Sequence, residues 1–323
     1  MVQHKTGVLI INLGTPDSPS VADVRKYLRE FLMDARVMGI PFWRRFLLVN
    51  LIIAPFRASE SAKRYRELWT AEGSPLKVYG LELEGLLQQA LGAAFEVKLA
   101  MRYQNPGIKS VLSQFKGKGF KQLIVIPLYP QYASSSSGSA MEEVMNVIKG
   151  WEVVPEIRLI SQFFDHPLFI KSFVEIGQKH MAQERYDHYL FSYHGLPERQ
   201  IHKSSCESDC YQSQCFETTR LLAQALGIKK EDYTICFQSR LGKAPWLKPC
   251  TDEVIKQLPG RGIKKVLVFS PSFVADCLET AIEIGVEYKK LFLEYGGELC
   301  QLVESLNVHP SWVECLKQLT RRS

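Results

Sequence analysis

Seven apolar, strand-like runs recur along this chain of 323 residues, and segments with helical patterning separate them. The runs are Val8–Leu13, Phe95–Met101, Gln122–Leu128, Arg158–Gln162, His188–Tyr193, Tyr233–Gln238 and Lys264–Ser270. Strands that alternate with helices are joined by crossovers, so they build a mainly parallel sheet covered on both faces. Seven strands over this length predict an α/β chain with two such units. Hydrophobic residues make up 46% of the chain, enough for ordinary cores, and charged residues 23%, which argues against global disorder. Asn105-Pro106 and Asp165-His166-Pro167 read as helix starts, each a cap followed by Pro at the first helical position. A unit boundary is expected near Pro130–Ser139.

The net charge of +6 is modest. It suits an anionic ligand or a negatively charged surface, and its spread gives no nucleic-acid footprint. Met1–Thr6 leads straight into the first strand without a signal-peptide pattern, and no apolar run reaches the length of a membrane span. A cytoplasmic protein is expected. The segment 41–57 stands out: it is apolar, bounded by prolines, and carries Arg44, Arg45 and Arg57. Its pattern alone reads as a core helix.

Three places carry candidate chemistry. The run Ser192-Tyr193-His194-Gly195-Leu196-Pro197 ends a strand abruptly on a histidine, and the carboxyl ends of strands are where open α/β sheets place ligands. His194 could serve there as base or metal ligand, or its ring could simply bond backbone. Glu279, Glu283 and Glu287 follow another strand at i, i+4 and i+8, on one helix face. Such a run is either a solvated acidic face or a carboxylate track for cations and protons. Cys206, Cys210 and Cys215 are clustered among eight cysteines. In a reducing compartment that spacing favours metal binding over disulfides, with free thiols in a surface loop as the competing reading.

Together these segments resemble the ferrochelatase family, whose members insert ferrous iron into a porphyrin to make haem. The resemblance runs through Ile11-Asn12-Leu13-Gly14-Thr15-Pro16, Gly73-Ser74-Pro75-Leu76, Arg102-Tyr103-Gln104-Asn105-Pro106, Tyr129-Pro130-Gln131-Tyr132, Gln238-Ser239-Arg240, Pro245-Trp246-Leu247 and Asp276-to-Thr280, in order over nearly the whole chain. It implies two similar Rossmann-like, chelatase-like lobes with a cleft between them: 1–133 plus 309–323, with 41–57 as an apolar lip, and 134–308, carrying His194 and Glu279. It implies a lyase that releases two protons as Fe2+ enters the ring, with His194 and Glu279 catalytic and metal-binding and Glu283 and Glu287 as a proton or metal path. Porphyrin contacts would fall on Met38, Arg57, Arg102, Tyr103, Trp246 and Phe273. Some family members carry a [2Fe–2S] cluster, which needs four ligands. Cys206, Cys210 and Cys215 would supply three, with Cys236, Cys250 or another residue to complete the set. Cys277 stands where many animal members have a histidine, which removes any part for a second histidine. The substrate expected is protoporphyrin IX with ferrous iron, from the opening loop and the lip. Coproporphyrin III, a sirohydrochlorin cobaltochelatase and a non-catalytic tetrapyrrole carrier are the alternatives. The lip would allow peripheral contact with the cytoplasmic side of an inner membrane.

Overall fold

The computed structural model describes residues 5–201, 210–240 and 244–321. Within them the first sheet comprises β1 (Thr6–Gly14), β2 (Phe95–Tyr103), β3 (Gln122–Pro127) and β4 (Glu156–Leu159). The second comprises β5 (His188–His194), β6 (Tyr233–Gln238), β7 (Lys265–Phe269) and β8 (Leu299–Leu302). Every pairing is parallel, and the orders are β2-β1-β3-β4 and β6-β5-β7-β8. The same order occurs twice, so the two units repeat one topology. The eighth strand, β8, escapes a sequence reading: it has four residues at a sheet edge, and only Cys300 is buried. Val8–Ile11 and Val266–Phe269 are wholly buried, as strands in a parallel sheet covered on both faces should be.

The chain divides into Met1–Gln162 with Val313–Ser323, and Phe163–Trp312. The expected boundaries, 133/134 and 308/309, therefore move. Residues 134–162 belong to the first unit because β4 pairs with β3 in register, from Gln122↔Glu156 to Val125↔Leu159. The helix Ser139–Ile148 also places Ala140, Val144 and Ile148 in one core with Leu9, Ile11 and Val125. The chain returns through the helix Pro310–Arg321, whose last carbonyls, those of Leu319 and Thr320, accept from the Arg158 guanidinium at 3.0 and 3.3 Å.

Two helix starts test the capping argument. Pro167 opens the helix Pro167–Gln183 as expected, and the cap is His166, whose Nδ1 accepts from the Leu168 N–H at 3.2 Å. Asn105-Pro106 does not start a helix. The helix Ile108–Phe115 begins after Gly107, and the Asn105 amide instead donates to both Asp17 carboxylate oxygens at 2.9 and 3.1 Å.

The apolar segment is helical throughout: an α-turn Phe42–Leu47, a π-wound stretch Leu48–Ile53, then the α-helix Ala54–Leu68. Pro55 has no N–H for the α ladder, and the wider turn precedes it, with the Ala54 N–H reaching back to Val49. This is not a core helix. Trp43 is 72% and Phe56 78% exposed, while Arg45 is turned inward at 7%. No described helix is long and apolar enough to cross a membrane.

Gly14 ends β1 at φ +111°, and a Cβ there would fall 1.9 Å from the Tyr103 carbonyl oxygen of β2. Gly85 lies inside the helix Pro75–Leu91 with nothing within 4 Å of a Cβ. Gly14→Ala should therefore cost at least about 3 kcal/mol in denaturant unfolding, from overpacking and backbone strain. Gly85→Ala should gain about 0.5–1 kcal/mol.

Candidate active site

In the second unit the strand order reverses direction between β5 and β7, and the carboxyl ends there are where such sheets bind ligands. His194 is the last residue of β5 and is half-buried. Its Nδ1 lies 2.6 Å from the Gly195 carbonyl oxygen. A carbonyl only accepts, so Nδ1 carries the hydrogen and the neutral ring keeps its lone pair on Nε2. The backbone is held from two further elements. Its N–H points to the Ser272 hydroxyl at 3.4 Å, just after β7. Its carbonyl accepts from the Tyr211 hydroxyl at 2.9 Å, and Tyr211 also meets Ser272 at 3.1 Å.

Gly195 is dictated by crowding. Its N–H donates to the Gln238 carbonyl at 2.8 Å, and a Cβ would lie 2.7 Å from that oxygen and 3.3 Å from the Trp246 ring. Trp246 is fixed by a backbone bridge to Pro197. Phe273 lies near the histidine, with ring centroids 6.1 Å apart. Both aromatics are half-buried, and the Phe273 ring neighbours the histidine ring.

The glutamates lie on a π-wound helix, Leu278–Tyr288. Such winding is rare and concentrates at functional sites. Its start is fixed by Thr280, whose Oγ1 accepts from the Cys277 N–H at 3.0 Å, and by Asp276, whose carboxylate accepts from the Ser305 N–H at 3.0 Å and the Asn307 amide at 2.8 Å. Burial pushes the Cys277 thiol well up, so it is an uncharged part of this cap. The three carboxylates are not equivalent members of a solvated face. Glu279 is half-buried, Glu283 is 8% exposed, and Glu287 is exposed. The Gln238 side chain links this helix to β6 by donating to the Glu279 backbone carbonyl at 2.7 Å.

In the first unit Arg102 and Tyr103, at the end of β2, converge on Asp34. The Arg102 guanidinium donates to the Asp34 carboxylate at 2.7 Å and to the Ser139 hydroxyl at 2.7 Å. Tyr103 donates to the Asp34 carboxylate at 2.8 Å, and the Ser139 hydroxyl donates to the same carboxylate at 2.5 Å. Burial alone would push the Asp34 carboxyl up. The Ser139, Arg36 backbone and Tyr103 hydrogen bonds, with the Arg102 cation, outweigh it and hold the group below its ordinary value. Burial, then the Asp34 charge, drives the Tyr103 phenol far above its usual range, so it remains a donor. Met38 is half-buried, and its N–H donates to the Asp34 carbonyl at 3.0 Å. Arg57 is exposed on the helix Ala54–Leu68. Thr15 and Ser74, from two of the sequence motifs, are both buried and bonded at 2.9 Å. Asp34, Ser139, Ser272 and Tyr211 had no role in the sequence reading. Nothing in their own spacing marks them, because each acts on a partner remote in sequence.

Two of the three clustered cysteines lie within the described residues. Cys206 lies outside the described residues. Cys210 caps the helix Tyr211–Leu226 with its sulfur 3.3 Å from the Ser213 hydroxyl, and Cys215 is wholly buried in that helix. Burial pushes the Cys215 thiol well up. Cys236 is likewise pushed up by burial, to about 12. Among the described residues one trio could hold a metal by distance, Cys250, Asp252 and Glu253. Arg240 already binds both carboxylates, at 3.8 and 3.1 Å, so the trio is an ion-paired helix start.

The family described as Ferrochelatase matches residues 5–323. A ferrochelatase of Coxiella burnetii (strain Dugway 5J108-111) is 42% identical, covering 99% of this chain and 94% of the relative. A ferrochelatase of Legionella pneumophila (strain Lens) is 41% identical over 98% of each. Among solved structures, SirB from Bacillus subtilis with Fe3+ aligns with a TM-score of 0.56 at 14% identity, over 98% of this chain and 94% of that one. The sirohydrochlorin chelatase SirB from Bacillus subtilis subspecies spizizenii in complex with cobalt aligns with a TM-score of 0.52 at 13% identity, over 98% and 93%. At these identities the structures share the fold.

The Asp34–Arg102 pair makes a pH-dependent contribution to stability. The folded carboxyl lies below its ordinary value, so the contribution is complete above the unfolded value and lost as pH falls through the folded one. The side chains are 5% and 16% exposed, so Asp34→Asn leaves a largely buried guanidinium uncompensated. It should cost about 3–5 kcal/mol at neutral pH. In denaturant unfolding, the gap from the unaltered protein should narrow as pH falls below about 4.

Proposed function

The chain belongs to the ferrochelatase family, lyases that insert a metal into a porphyrin in haem biosynthesis, and we propose that it inserts Fe2+ into protoporphyrin IX at His194 and Glu279. The observation that carries the site is the His194 ring: Nδ1 is committed to the Gly195 carbonyl and Nε2 is left to accept. Insertion requires both pyrrole N–H protons to leave while a divalent cation enters a planar ring. A fixed neutral imidazole can take such a proton. Glu279, half-buried at the first turn of the π-wound helix, supplies negative charge for the incoming metal, and imidazole with carboxylate is a donor set that ferrous iron accepts. Trp246 and Phe273 supply apolar surface for a flat macrocycle. Glu287 is the exposed outer end of the carboxylate run, where an arriving cation first meets charge.

Met38, Arg102 and Tyr103 form the porphyrin-contacting set proposed in the first unit, ordered by Asp34 and Ser139. Arg57, exposed near the lip, is the proposed partner for a propionate. Protoporphyrin carries fewer carboxylates than coproporphyrin III, and the exposed apolar lip suits the less charged ring. The same lip, with exposed Arg44 and Arg57, would rest on an anionic membrane surface and hand on a poorly soluble product. No step runs through a [2Fe–2S] cluster.

His194→Ala should abolish insertion, followed as loss of the free-base porphyrin spectrum, while porphyrin still binds. Glu279→Gln should be severely impaired. Near-normal turnover by both would favour a carrier. Faster consumption of coproporphyrin III would overturn the choice of porphyrin and leave the chemistry standing. Replacing Trp43, Leu47 and Phe56 with Ser should reduce sedimentation with anionic vesicles while the fold survives, since each such side chain is worth about 1.5–3 kcal/mol when buried. Unchanged sedimentation would remove the membrane contact. Protein purified without oxygen should be colourless. About two irons and two sulfides per chain, lost on Cys210→Ser, would instead establish a cluster.

A further inference from the structure

By spacing, Glu283 is the middle step of the carboxylate run. By surroundings it is not a step at all. Four donors converge on its two oxygens: the Ser239 N–H at 2.9 Å and the Tyr288 hydroxyl at 2.8 Å on Oε1, and the Gln238 side-chain amide at 3.2 Å and the Ser239 hydroxyl at 2.5 Å on Oε2. A carboxylate offers about four lone-pair sites, so every one is taken. Two of these donors cannot reverse. A backbone N–H only donates, and the Gln238 amide is set by its own oxygen, which accepts from the Ser192 hydroxyl at 2.8 Å. A proton arriving on either oxygen would have to break a hydrogen bond in a site that is 8% exposed.

The network also holds backbone that would not otherwise stay in place. Ser239 has φ +63°, in the left-handed region that a serine occupies only when its surroundings over-determine it. Gln238, just before it, touches both halves of the site. Its backbone carbonyl takes the Gly195 N–H at 2.8 Å, and its side-chain amide donates to the Glu279 carbonyl at 2.7 Å.

We infer that Glu283 is a positioning residue: its carboxylate pins Gln238 and Ser239 at the end of β6 to the π-wound helix, and so sets His194 and Glu279 in fixed register with each other. Glu283 passes neither protons nor metal. This rests on the metal-insertion reading of His194 and Glu279.

The test is a double-mutant cycle on the full chain, with ferrous iron and protoporphyrin IX as probes and thermal unfolding measured in parallel. Gln238→Leu removes no ionisable group. Both it and Glu283→Gln should lower kcat about tenfold with both KM values within about twofold, and the double variant should fall about tenfold rather than a hundredfold. Tyr288→Phe removes one donor, leaves the carboxylate, and should lower kcat about threefold. Wild-type kcat in Gln238→Leu with an inactive Glu283→Gln would overturn the inference in favour of a relay. Multiplied losses in the double variant, or a fall in unfolding temperature with kcat unchanged, would also overturn it. If either buried variant fails to fold, Tyr288→Phe and Ser239→Ala decide it, and unchanged kcat in both overturns it. Failure of the unaltered protein to insert iron would instead strike the function reading, and normal insertion by His194→Ala would strike the site.

Discussion

The hydrogen bond from the Gly195 N–H to the Gln238 carbonyl is the constraint on which the second unit's site depends. It extends the β5–β6 ladder one step past His194 and leaves no room for a side chain at 195. The chain must therefore turn there, and the turn brings the Gly195 carbonyl round to the His194 ring. One close backbone approach thus fixes the position of the histidine and the tautomer it holds.

The unit spends its buried polar groups on position. Tyr211 and Ser272 hold the His194 backbone from outside the ladder, and Asp276 and Thr280 set the start of the helix that carries Glu279. Each member is bonded to another, which is the condition under which polar groups can be buried without a large cost. The first unit follows the same rule with an ion pair. Asp34 gathers a guanidinium, a phenol and a hydroxyl, so the Arg102 charge is compensated inside the fold rather than at its surface.

π-Winding occurs at Leu48–Ile53 and Leu278–Tyr288, as it does at Ser134–Gly138. In the first it accompanies a proline that cannot join an α ladder, and the segment presents its large apolar side chains outward. In the second it separates three carboxylates, evenly spaced in sequence, into half-buried, buried and exposed surroundings. Identical residue types thereby become available for different tasks.

The sequence by itself determined the alternation of strands and helices, the parallel sheets that follow from it, and the ending of β5 on His194. These are local consequences: apolar periodicity is written in neighbouring residues, and glycine and proline punctuate it within a few positions. Tertiary structure decided the rest. The 133/134 boundary failed because residues 134–162 pair and pack against β3, a matter of partners rather than composition. β8 was too short to leave a pattern. Asn105 looked like a helix cap and instead found Asp17, remote in sequence. The apolar segment read as core and is exposed, because periodicity shows that a face is apolar without showing what covers it. Glu283 carries the same signal as Glu279 and Glu287, and only the donors from Gln238, Ser239 and Tyr288 set it apart. Hydrogen-bond partners brought together by folding assign these roles, since a side chain's chemistry depends on its surroundings as well as its type.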